Sequence, residues 1–347
     1  MVIGPFVDGS LNRQSSIVNR QSEVLVTGAT GFVGGNLVEA LLKKGYSVAC
    51  LARSTSDTRY LRNMPVRLIA GDLENSAKWK DAIGGIETVF HSAALIKAAN
   101  REEFFRANQF GTRRLLEALS EGNPSLKRFI HMSSLAAAGP STGGRRLTET
   151  DKPNPISWYG ESKLESEREV LKYEGSFRVT ILRPSAVYGP RDRGTLLIFR
   201  MVKLGCLCTP GRFTRRFSLI HVNDLTDAIT RAAETEIPSG EVFFVSRPES
   251  HTWDEVGQAV AQALGKKYRR IAFPAALAHT AGSAGDFWSL LTGRPATVSS
   301  QKVKELLQPF WTCDPSKASA YLGFNPGIDL ESGIRSTVRW YREHAWL

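Results

Sequence analysis

The stretch SWYGESK, Ser157 to Lys163, sets a tyrosine four residues before a lysine. On a helix that spacing puts Tyr159 and Lys163 on one face. A phenol in water titrates near 10, too high to exchange protons readily at neutral pH. A neighbouring ammonium stabilises the phenolate and brings that value down. A tyrosine so placed can take a proton from an alcohol, or give one to a ketone oxygen. A hydroxyl set on the same oxygen would stabilise the charge that develops there. Such a pair is also common on ordinary half-exposed helices, so its weight depends on what surrounds it.

A second group of residues suits phosphate. TGATGFVGG carries Gly28, Gly31 and Gly34 as G-x-x-G-x-x-G, between a strand-like run, EVLVTGA, and a helical one, FVGGNLVEALLKKG. Glycines there permit a tight turn and close backbone approach, and the free N–H groups of the helix start face a pyrophosphate. Gly28, Thr30, Gly31, Phe32, Val33 and Gly34 are therefore the expected dinucleotide contacts. The spacing differs from the commoner G-x-G-x-x-G. Where an acidic group at the end of the second strand would bind the ribose of NAD, this chain has Ala52 and then Arg53. A guanidinium can pair with a 2′-phosphate in a fork, so NADP is expected, with NAD the other option. In GDL, Asp72 suits the adenine edge beside Leu73, or equally a turn cap. With a nicotinamide cofactor in place, Tyr159 would move the proton while hydride passes to or from the ring.

These residues need elements to hold them. Short apolar runs alternate with helical patterns from Glu23 onward: SVACLA, VRLIAG, IETVFHSA, KRFIHMSS and FRVTILRP are the further strands. Near-continuous apolar strands joined by helices read as a parallel sheet covered on both faces. Right-handed crossovers make it a doubly wound α/β sheet of Rossmann type, which binds ligands beyond the carboxyl ends of its strands. The glycine loop, Arg53, Asp72, the segment through Ala93 and Ala94, Ser133 and Ser134, and Arg183 to Ser185 all fall at such ends. After Ser185 the alternation loosens. RFSLIHVNDLTDAITRAAE and EVFFVS are expected to return to the main sheet. This divides the chain into a tail at 1–22, a cofactor domain at 23–185 plus 217–248, and a smaller substrate lobe at 186–216 plus 249–347.

The pattern resembles the extended short-chain dehydrogenase/reductase family, which includes nucleotide-sugar epimerases and dehydratases and 3β-hydroxysteroid dehydrogenase-like reductases. TGATGFVG, GDL, HSAA, RANQFGT, HMSS, YGESK, LRPSAVYGP and IHVNDLTDAI carry the likeness in order, and LGFNPGIDLESGIRSTVRWYRE looks like that family's closing helix. It spans about residues 23–344. The resemblance implies that Tyr159 is the general acid/base and that Lys163 lowers its pKa and binds the nicotinamide ribose. Ser134 would hydrogen-bond the reacting oxygen, and Asn108 would order the lysine helix through water. Pro184 to Val187 would run past the nicotinamide.

Within that family two branches compete. Nucleotide-sugar enzymes usually carry a diphosphate-binding arginine four residues ahead of the histidine in HV; here Phe217 stands there, with Arg216 one residue off. Leu135 follows Ser134 where dehydratases have an acid. The apolar segment from Ala275 to Leu291, with Phe287 and Trp288, suits a steroid- or ketone-like substrate. The expectation is thus hydride transfer between NADP(H) and a secondary alcohol or ketone on an apolar molecule. A nucleotide-sugar 4-epimerase or dehydratase with tightly bound NAD(P) is the alternative, and a non-catalytic cofactor-binding scaffold or redox sensor a further one. His221 and Asp224 are expected to end a strand and cap a helix.

Bulk properties bound the rest. Net charge is +11 and the four cysteines are scattered, so neither a disulfide framework nor a metal site is expected. The Arg212, Arg215 and Arg216 cluster lacks the interleaved aromatics of a nucleic-acid binder. No apolar run reaches the ~18 residues of a membrane span, and the start does not read as a signal peptide. A cytoplasmic enzyme with a small-molecule substrate, no nucleic-acid partner and no stable membrane insertion is the reading; a homodimer stays open.

Overall fold

The computed structural model describes residues 23–211 and 214–347; the tail at 1–22 and Arg212 lie outside them. The first half alternates as expected: β1 (Glu23–Thr27), α1 (Phe32–Lys43), β2 (Ser47–Ala52), β3 (Val66–Ala70) and β4 (Thr88–His91). Then α2 (Arg101–Phe104) runs through a π-helical turn (Phe105–Phe110) into α3 (Gly111–Gly122). β5 (Arg128–Met132), α4 (Leu135–Ala138), α5 (Trp158–Leu171) and β6 (Arg178–Pro184) follow. The second half holds β7 (Ala186–Tyr188), α6 (Leu196–Lys203), β8 (Cys206–Pro210), β9 (Arg216–His221), α7 (Val222–Glu234) and β10 (Glu241–Val245). It closes with β11 (Ser250–Thr252), α8 (Trp253–Leu264), β12 (Arg269–Phe273), α9 (Ala275–Thr292), α10 (Ser300–Leu306), β13 (Phe310–Trp311), α11 (Ser316–Leu322) and α12 (Leu330–Glu343).

Seven strands, all parallel, form the main sheet in the order β3-β2-β1-β4-β5-β6-β10. Successive side chains go to opposite faces, and both faces are apolar. Val24 and Val26 of β1 join Leu37, Leu41, Leu225 and Ile229 beneath α1 and α7. Leu25 goes the other way, to Leu115, Leu119, Phe129 and Val170 beneath α3 and α5. Strand order reverses between β1 and β4, where Thr27 stands opposite His91; sheets of this kind take ligands outside the carboxyl ends at such a switch point.

One expected return to the sheet does not occur. β10 takes the free edge of β6, with Val245 opposite Pro184. β9 instead pairs with β7, β11 and β13 in a separate small sheet. A short apolar run is buried equally well in either sheet, so its pattern could not decide. The helix that follows β9 does come back, because α7 lays Leu225, Ala228, Ile229 and Ala232 against the α1 face. The lobe has its own core, with Tyr188, Phe199, Leu207, Val260, Val338 and Tyr341.

Candidate active site

The glycine loop follows β1 at the switch point. Gly28 has φ +72°, and a Cβ there would lie 2.6 Å from the Ala93 nitrogen; one on Gly34 would lie 2.2 Å from the Gly28 carbonyl oxygen. Only glycine fits both places. The Gly31 N–H donates to that carbonyl at 2.9 Å, closing the turn through Thr30. α1 then starts at Phe32 with no side chain capping it, so its first N–H groups remain for an anion. Val33 and Val187 pack on the same core. At the end of β6, Pro184 is followed by Ser185, whose buried hydroxyl has no partner. A cradle that any Cβ would fill, an uncapped helix start and an orphaned hydroxyl together fit a dinucleotide.

The other predicted cofactor residues line the same edge. Arg53 is exposed beyond β2 and has no ion pair among the described residues. Asp72 is a turn residue: its Oδ1 accepts from the N–H groups of Glu74 and Asn75 at 2.9 and 2.8 Å. Leu73 packs on the core beneath α3. Ala93 donates its N–H to Thr27 Oγ1 at 3.3 Å, and Ala94 beside it is exposed.

Tyr159 and Lys163 lie on α5, which starts where Ser157 Oγ accepts from the Gly160 N–H at 3.1 Å. Ser134 caps the short α4, its hydroxyl accepting from the Ala136 N–H at 3.1 Å, and it lies beside the Tyr159 phenol. Serine and tyrosine therefore come together where β5 ends and α5 begins, with Lys163 one turn further along the helix. The ionisation balance differs from the expectation. Burial pushes the Tyr159 phenol up to about 12, against a pull downward from Ser134, and the Glu305 carboxylate pushes it up further. Lys163 is itself pushed down to about 8 by burial, which Glu167 partly offsets. Its Nζ is 3.4 Å from His131 Nε2. Desolvation dominates both groups.

Asn108, 1% exposed, sits on the π-helical turn, a feature frequent at functional sites. Its amide is fully used: Oδ1 accepts from the Leu95 N–H at 2.7 Å, and Nδ2 donates to the Leu95 carbonyl at 3.0 Å and to Ser162 Oγ at 2.9 Å. Ser162 in turn donates to the Tyr159 carbonyl at 2.8 Å. The tie to α5 is thus direct, through a serine, and holds the tyrosine's own turn. The chain of bonds continues behind it. Thr112 donates to the Asn108 carbonyl at 2.6 Å, so its oxygen accepts from His91 Nε2 at 2.9 Å. His91 Nδ1 then accepts from Thr27 Oγ1 at 2.7 Å. His91 is neutral in this arrangement, and burial holds its pKa down to about 3.

A buried ion pair fixes the other side of α5. Arg183, at the end of β6, donates twice to Glu167, at 2.9 and 2.6 Å. Ser133 also donates to that carboxylate. Strands β5 and β6 are so tied to the middle of α5, beside Lys163. Glu167, Ser162 and His131 were not singled out in the sequence, and His91 only as the start of the segment at the end of the fourth strand. Ser162 lies inside the YGESK motif, Glu167 follows it, His91 ends β4 and His131 comes one residue before the end of β5, but burial is what gives them weight, and a linear sequence does not display it.

The lobe meets the site through α10. Ser157 donates to Glu305 Oε1 at 2.6 Å, and the Trp158 N–H to Gln301 Oε1 at 3.2 Å. Arg215 folds onto its own loop and donates to the Pro210 carbonyl. Arg216 donates to the Ser250 carbonyl at 2.8 Å and lies 3.7 Å from Glu255. Phe217 packs against Trp253, ring centroids 4.6 Å apart and planes tilted by 45°, inside the lobe. Phe287 and Trp288, expected to line the cleft, are instead 62% and 58% exposed. The helix turns its small residues inward, and aromatic character alone did not reveal that facing. His221 caps α7, accepting from the Asn223 N–H, and Asp224 accepts from the N–H groups of Gly327 and Ile328.

Residues 24–246 match the NAD dependent epimerase/dehydratase family. The chain is 34% identical to the ceramide reductase of Caulobacter vibrioides, over 93% of this chain and 96% of that one. It is 28% identical to the 3 beta-hydroxysteroid dehydrogenase/Delta 5-->4-isomerase of Mycobacterium tuberculosis, over 94% and 92%. Among solved structures, MoeE5 in complex with UDP-glucose and NAD superposes with a TM-score of 0.75 and 27% identity, over 93% of this chain and 99% of that one. Glycine cradle, Ser134–Tyr159 contact and sequence likeness agree: this chain is an extended short-chain dehydrogenase/reductase, an oxidoreductase belonging to the NAD-dependent epimerase/dehydratase family.

Proposed function

We propose that the protein transfers hydride between NADP(H) and a secondary alcohol or ketone carried on a largely apolar molecule. The observation that carries this reading is the Ser134 hydroxyl beside Tyr159 at the strand ends of a sheet whose first strand leads into the glycine cradle. The amides at the start of α1 would hold the pyrophosphate, Arg53 a 2′-phosphate and Lys163 the nicotinamide ribose. The bound cofactor supplies or accepts the hydride. In reduction, Tyr159 gives its phenolic proton to the carbonyl oxygen, while Ser134 donates to that oxygen and steadies its charge. Lys163, as an ammonium, favours the phenolate left behind. In oxidation the same groups work in reverse.

The apolar substrate is supported by three things. Arg215 and Arg216 are engaged elsewhere, Phe217 is packed in the lobe, and the ceramide and steroid enzymes named above act on lipophilic molecules by their names. The UDP-glucose held by MoeE5 favours a second reading, a nucleotide-sugar enzyme. Calorimetry with NADP present, comparing a hydrophobic ketone with UDP-glucose, decides between them. Micromolar binding of UDP-glucose, lost in Arg216→Ala, would overturn the apolar assignment. Tyr159→Phe should lower kcat on the best substrate by roughly a hundred- to ten-thousand-fold with cofactor affinity kept; an unchanged kcat would remove Tyr159 from the chemistry.

A further inference from the structure

The helix α9 is built inside out. Its inward face is made of small residues, Ala278, Gly282 and Ser289. A Cβ on Gly285 would lie 1.9 Å from the Val298 carbonyl oxygen, and one on Gly282 would lie 3.0 Å from Ser300 Cα, so the helix is pressed onto the start of α10. The Asp286 carboxylate accepts from the Ser300 N–H at 3.2 Å and fixes the pair. The bulky side chains point outward: Leu277, Phe287, Trp288, Leu290 and Leu291 are 57, 62, 58, 80 and 67% exposed. Leu277, Ala281, Ala284, Trp288 and Leu291 recur at intervals of four and three, one stripe along the outer face. Water-facing helices of soluble proteins show the opposite arrangement, and a contiguous exposed apolar face marks an interaction surface.

We propose that this face seats the protein on the surface of an anionic lipid bilayer, with α9 lying in the interface. Charge selects that occupant. Lys266 and Lys267 are exposed on the turn before β12 and Arg269 at the start of that strand, which leads into α9, and Arg294 is exposed just past the helix's end. Apolar and aromatic side chains on one face with basic residues at the border are the composition of a helix lying in a lipid headgroup region, where cations gain from anionic lipid. A second copy of the chain docking through this face would bring the same basic groups together. No described helix is long and apolar enough to cross a membrane, and seating does not require one. The placement matters for the site, because α10, beneath α9, touches Ser157 and Trp158 at the start of the tyrosine helix. A molecule leaving the bilayer under α9 would enter beside Tyr159. The inference stands apart from the substrate assignment, since binding is read with no substrate present.

Flotation of the full chain with phosphatidylcholine vesicles, with and without roughly a third phosphatidylglycerol, tests it. The wild type should float with the anionic vesicles. Phe287→Ser/Trp288→Ser and Lys266→Glu/Arg294→Glu should each lower the bound fraction at least about tenfold. Because all four side chains are exposed, melting temperature and reduction of a water-soluble ketone should stay unchanged. Failure of the wild type to float, or equal flotation of the variants, would overturn the proposal. So would a light-scattering mass that falls from dimer to monomer in Phe287→Ser/Trp288→Ser without any vesicle binding, which would assign the face to a second copy.

Discussion

At the scale of single residues, charge and burial set the chemistry. Arg53 stands where a carboxylate would repel a 2′-phosphate, so Arg53→Ala should weaken NADPH by about 1.5–3 kcal/mol and NADH little; fluorescence titration with both checks it, and equal losses would sink the NADP preference. Lys163, held down to about 8, is charged below that value and neutral above it. Ketone reduction should therefore fall as pH rises through about 8, and Lys163→Arg, which keeps its charge, should move that fall out of range. The buried imidazole of His91 works on stability. Its folded pKa near 3 lies below the ordinary 6.5, so its contribution is present above pH 6.5 and is lost as pH falls from there toward 3, at about 1.4 kcal/mol per pH unit. Burial lowers His131 too. Melting curves from pH 7 to 5 should show the decline, and His131→Gln should make it shallower; an equal slope would place the acid lability elsewhere. The helix carrying Tyr159 and Lys163 and the glycine turn before α1 were legible in the sequence because local spacing and flanking apolar runs define them. The upward push on the phenol was not, because it depends on how deeply the folded chain covers the ring.

At the scale of elements, α5 is held from both sides. Glu167→Ala would leave Arg183 charged and unpaired in the interior, at a cost of about 3–5 kcal/mol. Glu167→Ala combined with Arg183→Met removes both charges and should recover most of that loss in denaturant titrations; a double variant as unstable as the single one would show that packing, and not charge, fixes the helix. The main-sheet strands were legible because each is a near-continuous apolar run at a regular interval. The π-helical turn carrying Asn108 was not, since FRANQF reads as ordinary helix. The facing of α9 was equally hidden: a helix apolar all round has no periodic signal to say which side turns inward. The sheet to which β9 belongs is a matter of partners hundreds of atoms away, and RFSLIH fits either place.

At the scale of the molecule, cofactor domain and lobe are interleaved along the chain, not joined end to end. Against the expected division at 23–185 plus 217–248, β9 lies with β7, β11 and β13, while α7 packs on the main sheet and β10 joins it. The extra crossing has a consequence for how the protein is made. When a ribosome has delivered residues through 185, six strands of the main sheet exist, but β6 has a bare edge and the face over α1 lacks α7. Both are completed only after the first lobe segment has emerged, so neither unit can close while the other waits. Parallel strands already collect their partners late, and an open edge invites pairing between chains. A fragment ending at residue 185 should aggregate, whereas co-expressing residues 186–347 should rescue part of it as a soluble two-piece complex, measurable by co-purification. Nascent chains should lean on chaperones longer than the 347-residue length alone would suggest.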